Sequence, residues 1–173
     1  CVKLDFIIGV LSKALRATGT ADFRGVQANL GEVVAWRNML WALSDAMCKS
    51  PDPWVGDAVQ PSMAAGMAYR ALVPTIYPRI GDIINQVVAS GLIYVNSNAA
   101  DFKSSEIRPY LDTYVKGRPG ISAEERIAVF KLAWDVCGDS FGSRMNQYAK
   151  FYSGDPIRNW AGFFLGYPYR GPL

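Results

Sequence analysis

Hydrophobic residues recur along this chain mostly at steps of three and four, the signature of amphipathic helices. The stretch that organises the rest is 26–48, VQANLGEVVAWRNMLWALSDAMC. There Val26, Leu30, Val33, Val34, Leu40, Trp41 and Met47 fall close to the helical period and predict a broad apolar stripe against the rest of a domain. A second line on the same helix, Gln27, Gly31, Ala35, Asn38, Ala42 and Asp45, is small or polar. It reads either as a solvated or closely packed face or as one wall of a cofactor site. Thr20 or Asp22 is placed to cap this helix, and its free N–H groups then favour an anion near Arg24 and Gln27. Arg37 and Trp41 stand four apart and can stack on its surface.

The neighbouring segments repeat the pattern. Residues 2–17 place Leu4, Ile7, Ile8, Leu11, Ala14 and Leu15 on one face, and Thr18-Gly19 supplies a C-terminal stop. Residues 49–61, with three prolines, two aspartates and a glycine, predict a loop. A helix over 62–90 would bury Met63, Met67, Ile76, Ile80, Ile83 and Val87 and end at Gly91. Pro74 and Pro78 should kink or break it, because neither can donate to the carbonyl four residues back. The tetrad 92–95 is too short to separate strand from extended loop. Asn96, Ser97, Asn98 and Asp101 mark a polar loop, either ordinary surface or the lining of a site.

Residues 107–114 predict a short helix before the turn Gly117-Arg118-Pro119-Gly120. Ser122 with Glu125 three residues on is a capping box, and it opens what reads as a single helix over 122–152. Ile127, Phe130, Trp134, Cys137, Phe141, Tyr148 and Tyr152 form its one face. Gly138 and Gly142 lie within it one turn apart, so something should approach the backbone there: a neighbouring helix, or a flat or phosphate-bearing ligand. Residues 1–156 therefore read as an antiparallel all-α helical bundle. Residues 157–173 form an aromatic-rich tail (Trp160, Phe163, Phe164, Tyr167, Tyr169) that needs a surface on this domain, on further protein or on another subunit.

Composition narrows the class. The 173 residues are half hydrophobic, enough for one domain with a core. The net charge of +3 comes from dispersed cations, which argues against nucleic acid. No stretch reaches the roughly 18–20 apolar residues of a bilayer span, so a soluble protein is expected. The first residue is Cys1, with no leader-like region, and the chain reads as a piece of a longer protein. Cys1, Cys48 and Cys137 are odd in number and without ligand spacing, which suits free thiols in a reducing, cytoplasmic setting. The absence of histidine removes Ser-His and Cys-His dyads and leaves only carboxylates for a metal.

Four stretches carry a resemblance. FRGVQANLGEVVAWRNMLWALSDAMCKSPD (23–52), CVKLDFIIGVLSKAL (1–15), ASGLIYVNSNAADF (89–102) and FKLAWDVCGDSFGSRMNQYAKFYSGDP (130–156) resemble segments that occur in the same chain order in the 4-hydroxyphenylacetate 3-monooxygenase family. These are the large oxygenase components of two-component flavin-dependent phenol hydroxylases. The resemblance implies the C-terminal helical domain of an acyl-CoA-dehydrogenase-like fold and a homotetramer whose flavins touch neighbouring subunits. It also implies the chemistry: a separate reductase supplies reduced FAD, which with O2 forms a C4a-hydroperoxide that hydroxylates a phenol ortho to its hydroxyl. The protein's part is to hold the flavin and keep water away.

The same resemblance nominates three cofactor-binding places. They are Arg24 and Gln27 for the FAD pyrophosphate; Ser90, Gly91 and Leu92, with one glycine where relatives often have two; and Phe141, Gly142, Ser143 and Arg144, followed here by Met145 where relatives usually have histidine. Phenol-gripping and oxygen-transfer residues are expected upstream of Cys1, so no catalytic residue and no metal ligand is assigned. Two other readings stand beside this one. One is an enzyme like 4-hydroxybutanoyl-CoA dehydratase, with FAD and an iron–sulfur cluster; the other is an oligomerisation bundle without a ligand.

Overall fold

In the computed structural model the described residues are 1–166, and they form seven α-helices with one small β-ladder. The helices are α1 (Val2–Thr18), α2 (Arg24–Lys49), α3 (Met63–Val88), α4 (Arg108–Tyr114), α5 (Ala123–Cys137), α6 (Ser140–Tyr152) and α7 (Pro156–Gly166). The all-α, antiparallel expectation holds. Asp5–Arg37 ties the start of α1 to the middle of α2, and Glu32–Arg79 with Ser62 N–H to Met47 O (3.1 Å) pairs α2 with α3 in opposite directions. Beside α3, α5 packs near Ile84, and α6 lies by Tyr77, Pro78 and Gly81. Their common core is aliphatic: Leu4, Ile7, Leu11, Val33, Leu40, Ile76, Ile80 and Ile83 are almost wholly buried, joined by Phe130.

The first helix follows its sequence pattern to the end. Leu4, Ile7, Leu11, Ala14 and Leu15 are buried, and Gly19 takes the left-handed φ of 79° that returns its N–H to Arg16 O. Its backbone then needs no side chain to stop it. The capping box of α5 is also present, with Ser122 and Glu125 each accepting from the other's backbone N–H. In α2 the cap differs from expectation. The capping position belongs to Phe23, whose side chain makes no capping bond, while Thr20 Oγ1 pairs with Thr18 Oγ1 instead. Only Val33 and Leu40 of α2 are buried; Val34 and Trp41 face outward, with the Arg37 guanidinium 5.4 Å from the Trp41 ring centre.

Four further expectations change on folding. The segment 49–61 is not all loop, since Asp52–Pro53 and Val59–Gln60 pair antiparallel, and Asp52 Oδ2 accepts from Met63 N–H at the head of α3. Met63 itself is exposed, and of the two outcomes expected at Pro74 and Pro78 a break is the one that does not occur, since α3 continues through both. The carbonyl that Pro74 leaves without a partner, Arg70 O, accepts from Asn159 Nδ2 at 3.3 Å, which removes part of the cost of an internal proline. The helix ends at Val88 through Ala89 with a positive φ of 45°, not at Gly91, and a 3₁₀ turn over Ala89–Leu92 follows. No strand forms at 93–95.

The largest correction is the helix read over 122–152, which is two. Asp139 caps α6 by accepting from Gly142 N–H, and this local bond competes successfully with continuation of α5. Periodicity alone missed it because the apolar stripe does not lapse at the joint. The orphan carbonyls of α5 are taken up by α6, with Ser143 Oγ donating to Cys137 O (3.3 Å) and Asn146 Nδ2 to Val136 O (3.3 Å). The aromatic stripe leaves the core from Trp134 on: Trp134, before the joint, and Phe141, Tyr148 and Tyr152, beyond it, are exposed. Of the tail, 156–166 is helical and lies on α3, whereas Tyr167 and Tyr169 lie outside the described residues. No helix among the described residues is long and apolar enough to cross a membrane.

Candidate functional site

Antiparallel pairing puts the end of α1, the start of α2, the end of α3 and the start of α5 at one end of the bundle. Two of the three nominated places meet there. Arg24 and Gln27 are on the first turn of α2, and Gln27 lines a cleft of about 350 Å3 with Ser12, Arg16, Asp22, Val26 and Leu30. Because Phe23 offers no side-chain acceptor, the N–H groups of the first turn stay available. The positive end of a 26-residue helix dipole is therefore open to an anion. Arg24 on the same end of α2 is not part of the lining, whereas Arg16, in the last turn of α1, is the cation that lines this cleft, one that periodicity did not single out. Its signal was the basic residue just before a glycine stop.

At Ser90, Gly91 and Leu92 the chain uses its glycine inward. A Cβ on Gly91 would overlap the ring of Phe130, and both Gly91 and Leu92 are buried. Only Ser90 of the three is exposed, followed by exposed Ile93 and Tyr94. The close approach that the glycine marks is thus made by the protein's own aromatic core.

Phe141, Gly142, Ser143 and Arg144 lie apart from that end, at the joint between α5 and α6, midway along α3. Gly142 is buried because its Cα rests on the backbone of Asp135 and Val136, so the neighbour expected there is the preceding helix. Phe141 is 71% exposed, and Ser143 and Arg144 also face outward. Ser143 borders a second cleft, about 290 Å3, with Tyr77, Cys137, Asn146, Gln147 and Lys150. Lys3 reaches its rim, donating to Asn146 Oδ1 (3.3 Å) with its ammonium 4.8 Å from the centre of the Tyr77 ring. Burial, and then Asp139, push the Cys137 thiol up, away from the reactive thiolate.

The small and polar line of α2 is open: Gln27, Gly31, Ala35, Asn38 and Ala42 line its outer side, and a Cβ on Gly31 would meet nothing within 4 Å. Along its flank two bidentate pairs hold the helix. Asp5 accepts from Arg37 at 2.8 and 3.2 Å, and Glu32 accepts from Arg79 at 2.8 Å on both oxygens. The guanidinium hydrogen bonds keep both carboxylates below their ordinary range, with Trp36 Nε1 adding a further donor to Glu32. No group of His, Cys, Asp and Glu able to hold a metal occurs among the described residues.

The sequence model of the family described as 4-hydroxyphenylacetate 3-hydroxylase C terminal matches residues 1–173. The chain is 51% identical over 154 residues to a 4-nitrophenol 2-monooxygenase oxygenase component from Rhodococcus sp, covering 89% of this chain and 30% of that protein. It is 52% identical over 159 residues to the 4-hydroxyphenylacetate 3-monooxygenase oxygenase component of Escherichia coli, covering 91% of this chain and 31% of the other. It also superposes on a crystal structure of the oxygenase component of 4-hydroxyphenylacetate 3-monooxygenase complexed with FAD. There the TM-score is 0.87 and the identity 29%, over 95% of this chain and 34% of that one. The chain thus spans about a third of the length of the relatives it matches.

Proposed function

Since this chain belongs to the 4-hydroxyphenylacetate 3-hydroxylase family, matching its C-terminal region throughout, we propose that it is the helical C-terminal part of a reduced-FAD-dependent aromatic monooxygenase. The reaction is hydroxylation of a phenol ortho to its hydroxyl, with reduced flavin supplied by a separate reductase and O2 as oxidant. The observation that carries this reading is identity of 51% and 52%, over about nine-tenths of the chain, to two oxygenase components that act on phenols. Those two differ in substrate, a nitrophenol and 4-hydroxyphenylacetate, so the proposal stops at the phenol class.

The residues present suit this cofactor. The open first turn of α2, with Arg24, Gln27 and nearby Arg16, is a donor set of the kind a pyrophosphate takes. Exposed Ser90 at the same end offers a hydroxyl to the flavin, while buried Gly91 and Leu92 set the path of that turn. Exposed Phe141, Ser143 and Arg144 form a separate contact area, seated by Gly142, for a cofactor held by a neighbouring protomer. When bound, the flavin supplies the oxygen-transfer chemistry. This chain's share is to bind, orient and shield it. The outward line of Gly31, Ala35, Asn38 and Ala42 lets another protomer's backbone come near, which suits a homotetramer.

The test is the complete enzyme with reduced FAD, O2 and a set of phenols, followed by catechol formation. Arg24→Ala should weaken reduced-FAD binding about tenfold, the scale of one charge-assisted phosphate contact, and Arg16→Ala less. An iron–sulfur absorption band with no phenol hydroxylation would point instead to a dehydratase. The isolated 173 residues should bind flavin poorly, and micromolar affinity for this piece would contradict a pocket shared with other parts.

A further inference from the structure

The helix α7 is docked in an unusual way. Of its 11 residues only one is buried, and that one is polar: Asn159, at 3% exposure. Ile157 and Leu165 are 79% and 80% exposed, and Trp160 also faces out. A helix normally docks through an apolar stripe. Here the inner line is Asn159, Gly162 and the more exposed Phe163, three and four residues on. Gly162 lies so near α3 that a Cβ there would sit 3.0 Å from Met67 Cε.

The target of Asn159 explains the choice. Pro74 has no N–H and its ring presses on the carbonyl four residues back, so Arg70 O is left without its usual donor. Asn159 Nδ2 supplies that donor at 3.3 Å and gives its other hydrogen to Ser153 O at 3.2 Å. The same carbonyl of Ser153 accepts from Arg70 Nε at 2.8 Å. Gly154, with φ of 99°, lets the Arg70 guanidinium pass where a side chain would stand. Residues 70, 153, 154 and 159 thus form one closed set of contacts around a defect in α3.

We infer that α7 is a strap latched to α3 through the carbonyl that Pro74 exposes, with Asn159 acting as the missing backbone donor. The latch fixes the rotation of α7 and so decides that Ile157, Trp160 and Leu165 point outward. It is independent of the flavin assignment, since none of its members belongs to the proposed cofactor contacts. Without the amide, α7 loses the one buried group that holds it, while the bundle of α1, α2, α3 and α5 keeps its own core.

The experiment is amide hydrogen exchange on the intact protein, as wild type, Asn159→Ala, Pro74→Ala and the double variant. Asn159→Ala should speed exchange of the amides over 157–166 by about tenfold or more, the worth of a buried bond with its acceptor left bare. Amides of α1 and α5 should stay unchanged. In the Pro74→Ala background residue 74 gives its own N–H to Arg70 O, so the same substitution should have a smaller effect. An equal fold-change in both backgrounds, no change in α7, or equal loosening of α1 and α5 would overturn the inference. Should Asn159→Ala fail to accumulate, Asn159→Asp keeps the shape and loses both donors. Faster α7 exchange that shrinks in the Pro74→Ala background would then support the latch, and an equal change in both backgrounds would overturn it.

Discussion

The two halves of α3 sit in different surroundings. Its C-terminal half lies among α1, α2 and α5 in an aliphatic layer, with Ile76, Ile80, Ile83 and Ile84 buried against Leu11, Val33 and Phe130. Its N-terminal half buries Ala65, Ala71, Val73 and Pro74 and meets α7, whose large residues are mostly aromatic and exposed and whose one buried residue is Asn159. Aliphatic side chains carry no polar atoms and are stabilised simply by leaving water. The α6–α7 end keeps its aromatic surface in solvent and is held by specific hydrogen bonds. One end is held by aliphatic burial, and the other leaves most of its large side chains in solvent.

Substitutions can break that contrast. Phe130→Ala removes a buried ring that fills the space above Gly91 and should cost about 3–5 kcal/mol, whereas Phe141→Ala, 71% exposed, should change the chain's stability by about 0.5 kcal/mol or less. Denaturant titration of both variants reads the difference, and equal losses would erase the distinction between the two ends. Gly142→Ala should come next at about 1–3 kcal/mol, because its Cβ would strike the backbone carbonyl of Asp135, which no rotamer relieves. Gly31→Ala meets nothing and should raise helix stability by up to about 1 kcal/mol in the separate chain. In an assembly that packs on this line it should weaken association, visible as a lower mass in light scattering at fixed concentration.

The smallest effect is electrostatic and confined to α1, α2 and α3. Asp5 and Glu32 are held below their ordinary carboxylate range by Arg37 and Arg79. Their stabilising contribution is complete above the unfolded-state carboxylate range and is lost as pH falls through the lower folded values. Melting temperature should therefore drop as pH falls below the ordinary carboxylate range, and Arg79→Gln should flatten that drop while lowering the neutral-pH value slightly. Both pairs are partly solvated, so added salt should shrink the gap. A variant that melts in parallel with the wild type at every pH would show that these pairs contribute nothing to the acid sensitivity.

Much of the fold was legible locally. The apolar line from Leu4 to Leu15, the Gly19 stop and the Ser122–Glu125 box each need only a few neighbouring residues, and each formed as expected. The joint at Gly138–Asp139 was harder, because a cap and an unbroken apolar stripe pointed in opposite directions. Within the proposed site, Arg24 and Gln27 came from the sequence, while Arg16 and Asp22 joined the cleft only because α1 and α2 fold back on each other. Gly91 shows the reverse, since its small size could serve a ligand or a ring, and Phe130, 39 residues away, took the space.

By itself the sequence determined the helical periods, most of the helix ends, the lack of histidine chemistry and the family, because each depends on residue type and short-range order. The tertiary structure decided which face of α2 was buried and that Pro74 survives within α3. Those outcomes depend on whether a distant group arrives to fill a space or donate a bond. Asn159 meeting Arg70 O across 89 positions is such an arrival, and no local pattern announces it.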